Sequence, residues 1–177
     1  MRLFIGIGLP LAIAEALANS AASLVPKSNA ARIRWTPPSN MHITLSFLGQ
    51  VHEARRDAIE QALAAIHAAR LSLTLDGFGT FDRVGVLYAD VKKSPALLAL
   101  AEQVMAAMQA IGFAREDRPY SPHITLARTR DRLRLAPSPK VDPAFHQSFH
   151  ATEFRLYQSL TLPGGAQYQV LRSFPLA

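Results

Sequence analysis

The sequence predicts an α+β protein with two pseudo-symmetric lobes, each built on a mainly antiparallel sheet flanked by helices, with a cleft between them. Strand-like and helix-like segments alternate along the 177 residues without the regular spacing that produces a parallel sheet. The tetrapeptide HITL occurs twice, beginning at His42 and His123, and each copy follows a predicted helix and a loop. Because the length suits one domain, we expect residues 1–177 to form a single two-lobed domain.

The first third of the chain predicts a strand, a helix and a second strand. Residues 2–9, which are apolar or glycine after Arg2, predict a buried strand, and residues 11–24 have helical apolar spacing. The basic, apolar start also resembles a signal peptide, but Pro10 and Glu15 interrupt it, so we favour the strand and helix. Residues 41–48 alternate strictly, which predicts an apolar back (Met41, Ile43, Leu45, Phe47) and a polar front (His42, Thr44, Ser46).

The remaining elements follow from periodicity and from the placement of proline and glycine. Residues 53–70 and 94–111 predict helices, and residues 71–75 and 84–91 predict strands joined by a glycine-rich turn. The second HITL strand follows Pro122, residues 130–143 predict a surface loop, and residues 152–162 and 167–174 predict a closing strand pair. No stretch has the roughly 18 apolar residues of a membrane span.

Composition favours a polyanionic partner. The formal net charge is +6 and the isoelectric point is about 10.2, and four arginines fall within residues 128–134, directly after the second HITL. The chain has no cysteine, which excludes disulfides, thiol catalysis and cysteine-ligated zinc and fits a cytoplasmic protein.

The two H-x-T strands predict a shared site for a phosphate group. Residues two apart in a strand lie on one face, so His42 projects with Thr44, and His123 with Thr125. If the two strands meet at a cleft, hydroxyls hydrogen-bond the phosphate oxygens while two imidazoles serve as proton donor and acceptor. Arg128 is a further candidate donor, although strand parity alone would place it on the opposite face.

Other interpretations of these histidines remain open at this point. A single histidine on a polar strand face is usually a surface residue, although two copies in matching contexts make that less probable here. Two histidines without a third ligand make a poor zinc site, so we expect no metal and no cofactor. The near symmetry of the motifs does not distinguish the acid from the base.

The paired motifs resemble the two-histidine phosphoesterase superfamily, and in particular its RNA 2′,3′-cyclic phosphodiesterases, also called 2′-5′ RNA ligase-like proteins. The matching strings are W-x-P-P-x-N-x-HITLSFLG at residues 35–49, Y-x-PHITLAR at residues 120–128, and supporting segments at residues 2–10, 77–81, 112–113 and 168–176. The resemblance implies metal-independent opening of a terminal 2′,3′-cyclic phosphate to a 2′-phosphate. It also implies that His42 is the general acid and His123 the general base, with Thr44, Thr125 and Arg128 on the phosphate oxygens.

Three aromatic residues are candidates for contact with the substrate. Trp35 and Tyr120 precede the two motifs and could stack on a nucleobase, and Phe81 could line the cleft. The expected partner is RNA with a cyclic phosphate end, tRNA fragments among them, and we expect a monomer without membrane association. The alternatives are a non-catalytic RNA-end binding module, the same chemistry on a small cyclic nucleotide, and the reverse reaction of 2′-5′ ligation.

Overall fold

The computed structural model describes residues 1–23, 25, 32–129, 146–163 and 165–177. In this part of the chain the strands are β1 (Arg2–Gly8), β2 (Ile33–Trp35), β3 (His42–Gln50), β4 (Leu71–Phe81), β5 (Val86–Val91), β6 (His123–Thr129), β7 (His146–Ala151), β8 (Glu153–Leu162) and β9 (Gly165–Pro175). The helices are α1 (Leu11–Ser23), α2 (Arg56–Ala64) and α3 (Pro95–Ala110). Short 3-10 turns lie at Pro38–Asn40 and Glu53–Arg55. The predicted α+β class is confirmed.

All nine strands form one sheet with the order β7-β4-β5-β6-β3-β1-β8-β9, and β2 pairs with β6. Every strand pair is antiparallel. The two lobes are the two halves of this sheet: β3-β1-β8-β9 and β6-β5-β4-β7 have equivalent orders, with an HITL strand first in each. The halves meet where Ile43 of β3 pairs with Ile124 of β6, so the two motifs are neighbours at the centre of the sheet.

The helices cover one face of the sheet and cross between the halves. α1 follows β1 but packs against β6, whereas α3 follows β5 and packs against β3 as well as β4. Fully buried side chains of the helices and central strands form one continuous core, including Leu17, Leu63, Leu100, Ile43 and Ile124. Because a helix of each half packs against a strand of the other half, helices from both halves bury the apolar face of the sheet.

Several predicted boundaries differ from the structure. The helix expected over residues 53–70 is a 3-10 turn followed by the shorter α2, which ends at Ala64. The strand expected over residues 71–75 continues to Phe81 as β4. Gly77 (φ 83°) lies in a β-bulge within this strand, where the sequence predicted a hairpin turn. β2 and β7 were not predicted. β2 has only three residues and β7 is a mostly polar edge strand, so neither shows a clear alternation of apolar and polar residues. The loop at residues 130–143 lies outside the described residues.

Candidate active site

The two motif strands present their polar side chains on the same face of the sheet. Ile43 and Ile124 form the pair that joins β3 to β6, and both are fully buried on the helix side. Side chains alternate along a strand, so His42, Thr44 and their counterparts on β6 project from the opposite, open face. The structure therefore brings the four motif residues of both halves together at the centre of one sheet, rather than across a gap between two separate sheets.

Each motif strand has a bulge at the leucine of HITL. Across β1 and β3, Gly6 pairs with Thr44 and Ile5 with Ser46, so Leu45 is skipped. Across β5 and β6, Tyr88 pairs with Thr125 and Leu87 with Ala127, so Leu126 is skipped in the same way. An extra residue in one strand reverses the facing of the residues that follow it. In β3 this holds as far as Leu48, which is skipped in turn because Phe4 pairs with Phe47 and Leu3 with Gly49.

The bulges bring Arg128 and Phe47 to the open face. Arg128 pairs with Val86, is exposed and lines the cleft on this face, although regular alternation predicts the other side. Phe47 occupies the equivalent place in the first half, and the prediction that it points into the core is wrong. Its side chain is 59% exposed and lines the same cleft. The rim of the site thus has the cation Arg128 in the second half of the sheet and the aromatic ring of Phe47 at the equivalent position in the first half.

The His42 ring lies in an aromatic enclosure. The Phe4 ring is 4.5 Å from it between centroids, and the Tyr168 ring lies edge-on at 5.2 Å. Its Nδ1 lies 2.8 Å from the carbonyl oxygen of Asn40. Nδ1 therefore carries the proton and donates a hydrogen bond to that oxygen. Asn40 is itself buried, and its side-chain amide donates to the carbonyl of Ala166 on β9 at 2.6 Å. The orientation of the ring therefore depends on contacts from both ends of the chain.

This enclosure changes the proton affinity of His42. Burial lowers the pKa of His42 from 6.5 to about 4, against the opposing effect of the hydrogen bond to the Asn40 carbonyl, and the nearby His123 lowers it further. Without a ligand, the imidazole is therefore neutral at pH 7, with its Nε2 lone pair available.

The His123 ring has the same backbone anchor and more open surroundings. Its Nδ1 lies 2.8 Å from the carbonyl oxygen of Ser121, two residues earlier, as in the first motif. The Phe81 ring lies edge-on at 5.1 Å and the Tyr88 ring at 5.6 Å. The shared anchor fixes Nδ1–H in both histidines, which leaves both Nε2 atoms for chemistry.

Most of the predicted site residues line one cleft of about 490 Å³ on the open face. Its lining includes the predicted residues Thr44, Phe81, Tyr120, His123, Thr125 and Arg128. His42 lines a second, smaller pocket of about 100 Å³, together with Arg155, Tyr157 and Tyr168. His42 is still close enough to His123 for their charges to interact.

Two of the aromatic candidates have structural contacts that the sequence did not indicate. Tyr120 is half-buried, and its hydroxyl donates to the backbone carbonyl of Thr44 at 3.0 Å, while burial raises its pKa. It therefore ties the segment before β6 to β3. Trp35 lies in β2, pairs with Ala127 and packs against the core instead of lining the cleft.

The sequence reasoning missed the residues that surround His42. Phe4, Tyr157 and Tyr168 come from β1, β8 and β9, and Phe4 stacks on Tyr157 at 4.9 Å. Their only sequence signal is that Phe4 and Tyr168 fall within the terminal segments used for the resemblance. Strand neighbours that are more than a hundred residues apart in the chain are not visible from local periodicity.

The site has the groups required for proton transfer around a phosphate. Two imidazoles with available Nε2 atoms flank two threonine hydroxyls, and Arg128 stands at the rim. Among the residues that the structure describes, no three His, Asp or Glu side chains are grouped as metal ligands. This fold and these groups define a phosphoesterase of the two-histidine class.

Comparison with known proteins agrees with this class. The sequence profile of the LigT-like phosphoesterases matches residues 7–88 and 90–168. The chain is 31% identical to the RNA 2′,3′-cyclic phosphodiesterase of Escherichia coli, over 99% of this chain and 96% of that protein. It is 33% identical to the protein of the same name from Thermus thermophilus, over 99% of this chain and 90% of that one. The chain belongs to the LigT-like phosphoesterase family.

Solved structures of relatives have the same fold. The crystal structure of Escherichia coli LigT complexed with 3′-AMP aligns with a TM-score of 0.85 at 31% identity, covering 99% of this chain and 97% of that one. A further crystal structure, described as a phosphoesterase, aligns with a TM-score of 0.87 at 31% identity, again covering 99% of this chain and 97% of that one. None of the helices in the described part of the chain is long and apolar enough to cross a membrane.

Proposed function

We propose that this chain hydrolyses the 2′,3′-cyclic phosphate at an RNA end and leaves a 2′-phosphate. The observation that carries the proposal is the pair of histidines on adjacent strands, each with Nδ1–H donating to a backbone carbonyl, which leaves Nε2 for proton transfer. The names of full-length relatives and the family profile support the same reaction.

In this mechanism His123 is the general base. Its Nε2 removes a proton from a water molecule, and the oxygen of that water forms the new bond to phosphorus. The bond from phosphorus to the 3′-oxygen breaks, and His42 donates a proton to that oxygen. A general acid and a general base each contribute on the order of 10²–10⁴-fold to such a rate.

The low proton affinity of His42 makes its acid role dependent on the substrate. The pKa of about 4 keeps the ring neutral at pH 7. A phosphodiester anion bound between the rings favours the imidazolium form, because an opposite charge within a few ångströms raises the pKa of a histidine. His42 then takes up a proton as the substrate binds and donates it readily to the leaving oxygen.

The remaining motif residues hold the phosphate. The hydroxyls of Thr44 and Thr125 project beside the two rings and donate to its non-bridging oxygens, and Arg128 neutralises the charge that develops on them. Donors fixed in advance in a partly enclosed site are more effective than water in stabilising this charge.

The experiment that tests the proposal uses a short oligoribonucleotide ending in a 2′,3′-cyclic phosphate, with a chelator present. We expect a 2′-phosphate product at the same rate with and without the chelator. His42→Ala and His123→Ala should each lower kcat by at least about 10²-fold.

The matched control is His67→Ala, because His67 is exposed and lines neither of the two described pockets. Chemical denaturation of each variant checks that the fold is retained. Full activity in both motif variants, or a 3′-phosphate product, contradicts the proposal. Binding of the oligonucleotide without any turnover supports an RNA-end binding module instead.

The proposal extends to the protein as a whole. We infer a cytoplasmic monomer in which residues 1–177 act as one domain, since the site takes one motif from each half of the sheet. Its RNA substrates include tRNA fragments, and with a 5′-hydroxyl in place of water the same groups support 2′-5′ ligation.

A further inference from the structure

The cleft beside the two motifs has room for one nucleotide. Its volume of about 490 Å³ falls within the range of pockets that enclose a small organic ligand. β3 and β6 form its floor, and Phe81, Val84 and Val86 form one side. α3 and the segment at residues 114–121 form the other side.

The interior of this cleft suits a nucleoside. Phe47 and Val84 are each 59% exposed and both line the cleft, so they offer apolar surface to a bound ligand. Met105 of α3 adds further apolar surface. The ribose and base of one nucleotide can lie here while its phosphate lies over the threonines. The rest of an RNA chain then leaves the cleft through its mouth.

The mouth carries two arginines that differ in their partners. Arg115 forms two hydrogen bonds with the Glu102 carboxylate, at 2.7 and 2.5 Å, so its guanidinium is already neutralised. Arg118 is 3.6 Å from Glu116, longer than a hydrogen bond, and its side chain is 87% exposed. Of these two arginines, Arg118 is therefore the one that can accept a new anionic partner at little cost.

Resting on the proposed function, we propose that Arg118 binds the phosphodiester that joins the terminal nucleotide to the rest of the RNA. The cleft takes one nucleotide, so the next phosphate lies at the mouth, where Arg118 stands. Arg128 lies on β6, five residues after His123, and serves the reacting phosphate. A guanidinium contact with this phosphodiester makes the enzyme selective for oligoribonucleotide ends over free cyclic mononucleotides.

The test compares two substrates: uridine 2′,3′-cyclic phosphate, and a uridine dinucleotide that ends in the same group. The wild-type protein should prefer the dinucleotide in kcat/KM. In Arg118→Ala this preference should fall about tenfold through KM, since a hydrogen bond to a charged group contributes about 1.5 kcal/mol or more. Arg118→Lys should restore part of it, and the matched control Arg115→Ala should keep the wild-type preference.

Three results overturn the inference: no preference in the wild-type protein, an equal loss on both substrates in Arg118→Ala, or the same change in Arg115→Ala. Failure of the proposed function gives a different result, because neither substrate is then turned over. In that case binding of the 2′-phosphate forms of the mononucleotide and dinucleotide decides the inference. Tighter binding of the dinucleotide that is lost in Arg118→Ala supports the inference. Equal binding of the mononucleotide and the dinucleotide by the wild-type protein overturns it.

Discussion

At the scale of single residues, the two histidines of identical motifs have different environments. Both donate Nδ1–H to the carbonyl two residues earlier in the chain. The enclosure of His42 by Phe4, Tyr157 and Tyr168 then lowers its pKa to about 4. The two proton-transfer groups therefore have different surroundings, although their local sequences are the same.

The buried His42 makes the folded protein sensitive to acid. Its pKa is about 4 when folded and near 6.5 when unfolded, so the unfolded chain binds more protons between these values. Stability is therefore full above pH 6.5 and is lost as pH falls toward 4. At pH 4.5 we expect a loss of about 2 to 3 kcal/mol from His42 relative to pH 7, and urea denaturation at the two pH values checks it.

A comparison of variants isolates this contribution. His42→Gln removes the titrating group, so its unfolding free energy should fall less between the two pH values than that of the wild-type protein. His67→Gln, at an exposed position, should behave as the wild-type protein does. An identical pH dependence in His42→Gln and wild type would show that the ring is not enclosed as described.

At the scale of elements, the site depends on how closely β1 and β3 approach each other. A Cβ at Gly6 would lie 2.7 Å from the carbonyl oxygen of Ile43 and 3.4 Å from Cδ2 of His42. A Cβ at Gly8, on the same face, would instead meet the far ends of the Arg155 and Tyr157 side chains, at 2.9 and 3.0 Å. Backbone cannot move aside as the end of a flexible side chain can.

Gly6→Ala should therefore be more harmful than Gly8→Ala. We expect Gly6→Ala to cost about 1 to 3 kcal/mol of stability and to lower kcat by about tenfold or more, because it displaces the His42 ring. Gly8→Ala is the matched control and should cost less stability. Thermal unfolding and steady-state kinetics check both effects, and equal stability losses in the two variants would contradict this account.

At the scale of the whole molecule, one sheet with exchanged helices joins the two halves. α1 and α3 each pack on the motif strand of the other half, and the motif strands pair with each other. Neither half has a complete site by itself. The chain also carries a net charge of +6, which attracts a polyanion over distances of about one Debye length.

This charge predicts that activity on RNA depends on salt. As potassium chloride rises from 50 to 200 mM, kcat/KM for an oligoribonucleotide should fall more steeply than for a cyclic mononucleotide, by a logarithmic slope of about 0.7 for each additional phosphate contact. Sucrose at matched osmolality controls for effects unrelated to charge. Parallel salt dependences for the two substrates would argue against contacts beyond the terminal phosphate.

Much of this architecture could be predicted from local patterns. The alternation over residues 41–48 places His42 and Thr44 on the open face and Ile43 in the core, as the structure does. It fails at Phe47, because a bulge depends on the partner strand and leaves no mark in the sequence of the bulged one. The short β2 and the edge strand β7 escaped prediction because their pairing partners, rather than their own periodicity, make them strands.

By itself, the sequence determined the α+β class, the repeated motif and the chemistry that two histidines and two threonines permit. These follow from side-chain type and from the period of two along a strand, which are local properties. Only the tertiary structure decided that the motif strands are adjacent, that Arg128 and Phe47 face the cleft, and that His42 is enclosed. Each of these depends on strands that are distant in the chain, and the free energy of packing them is a property of the folded molecule alone.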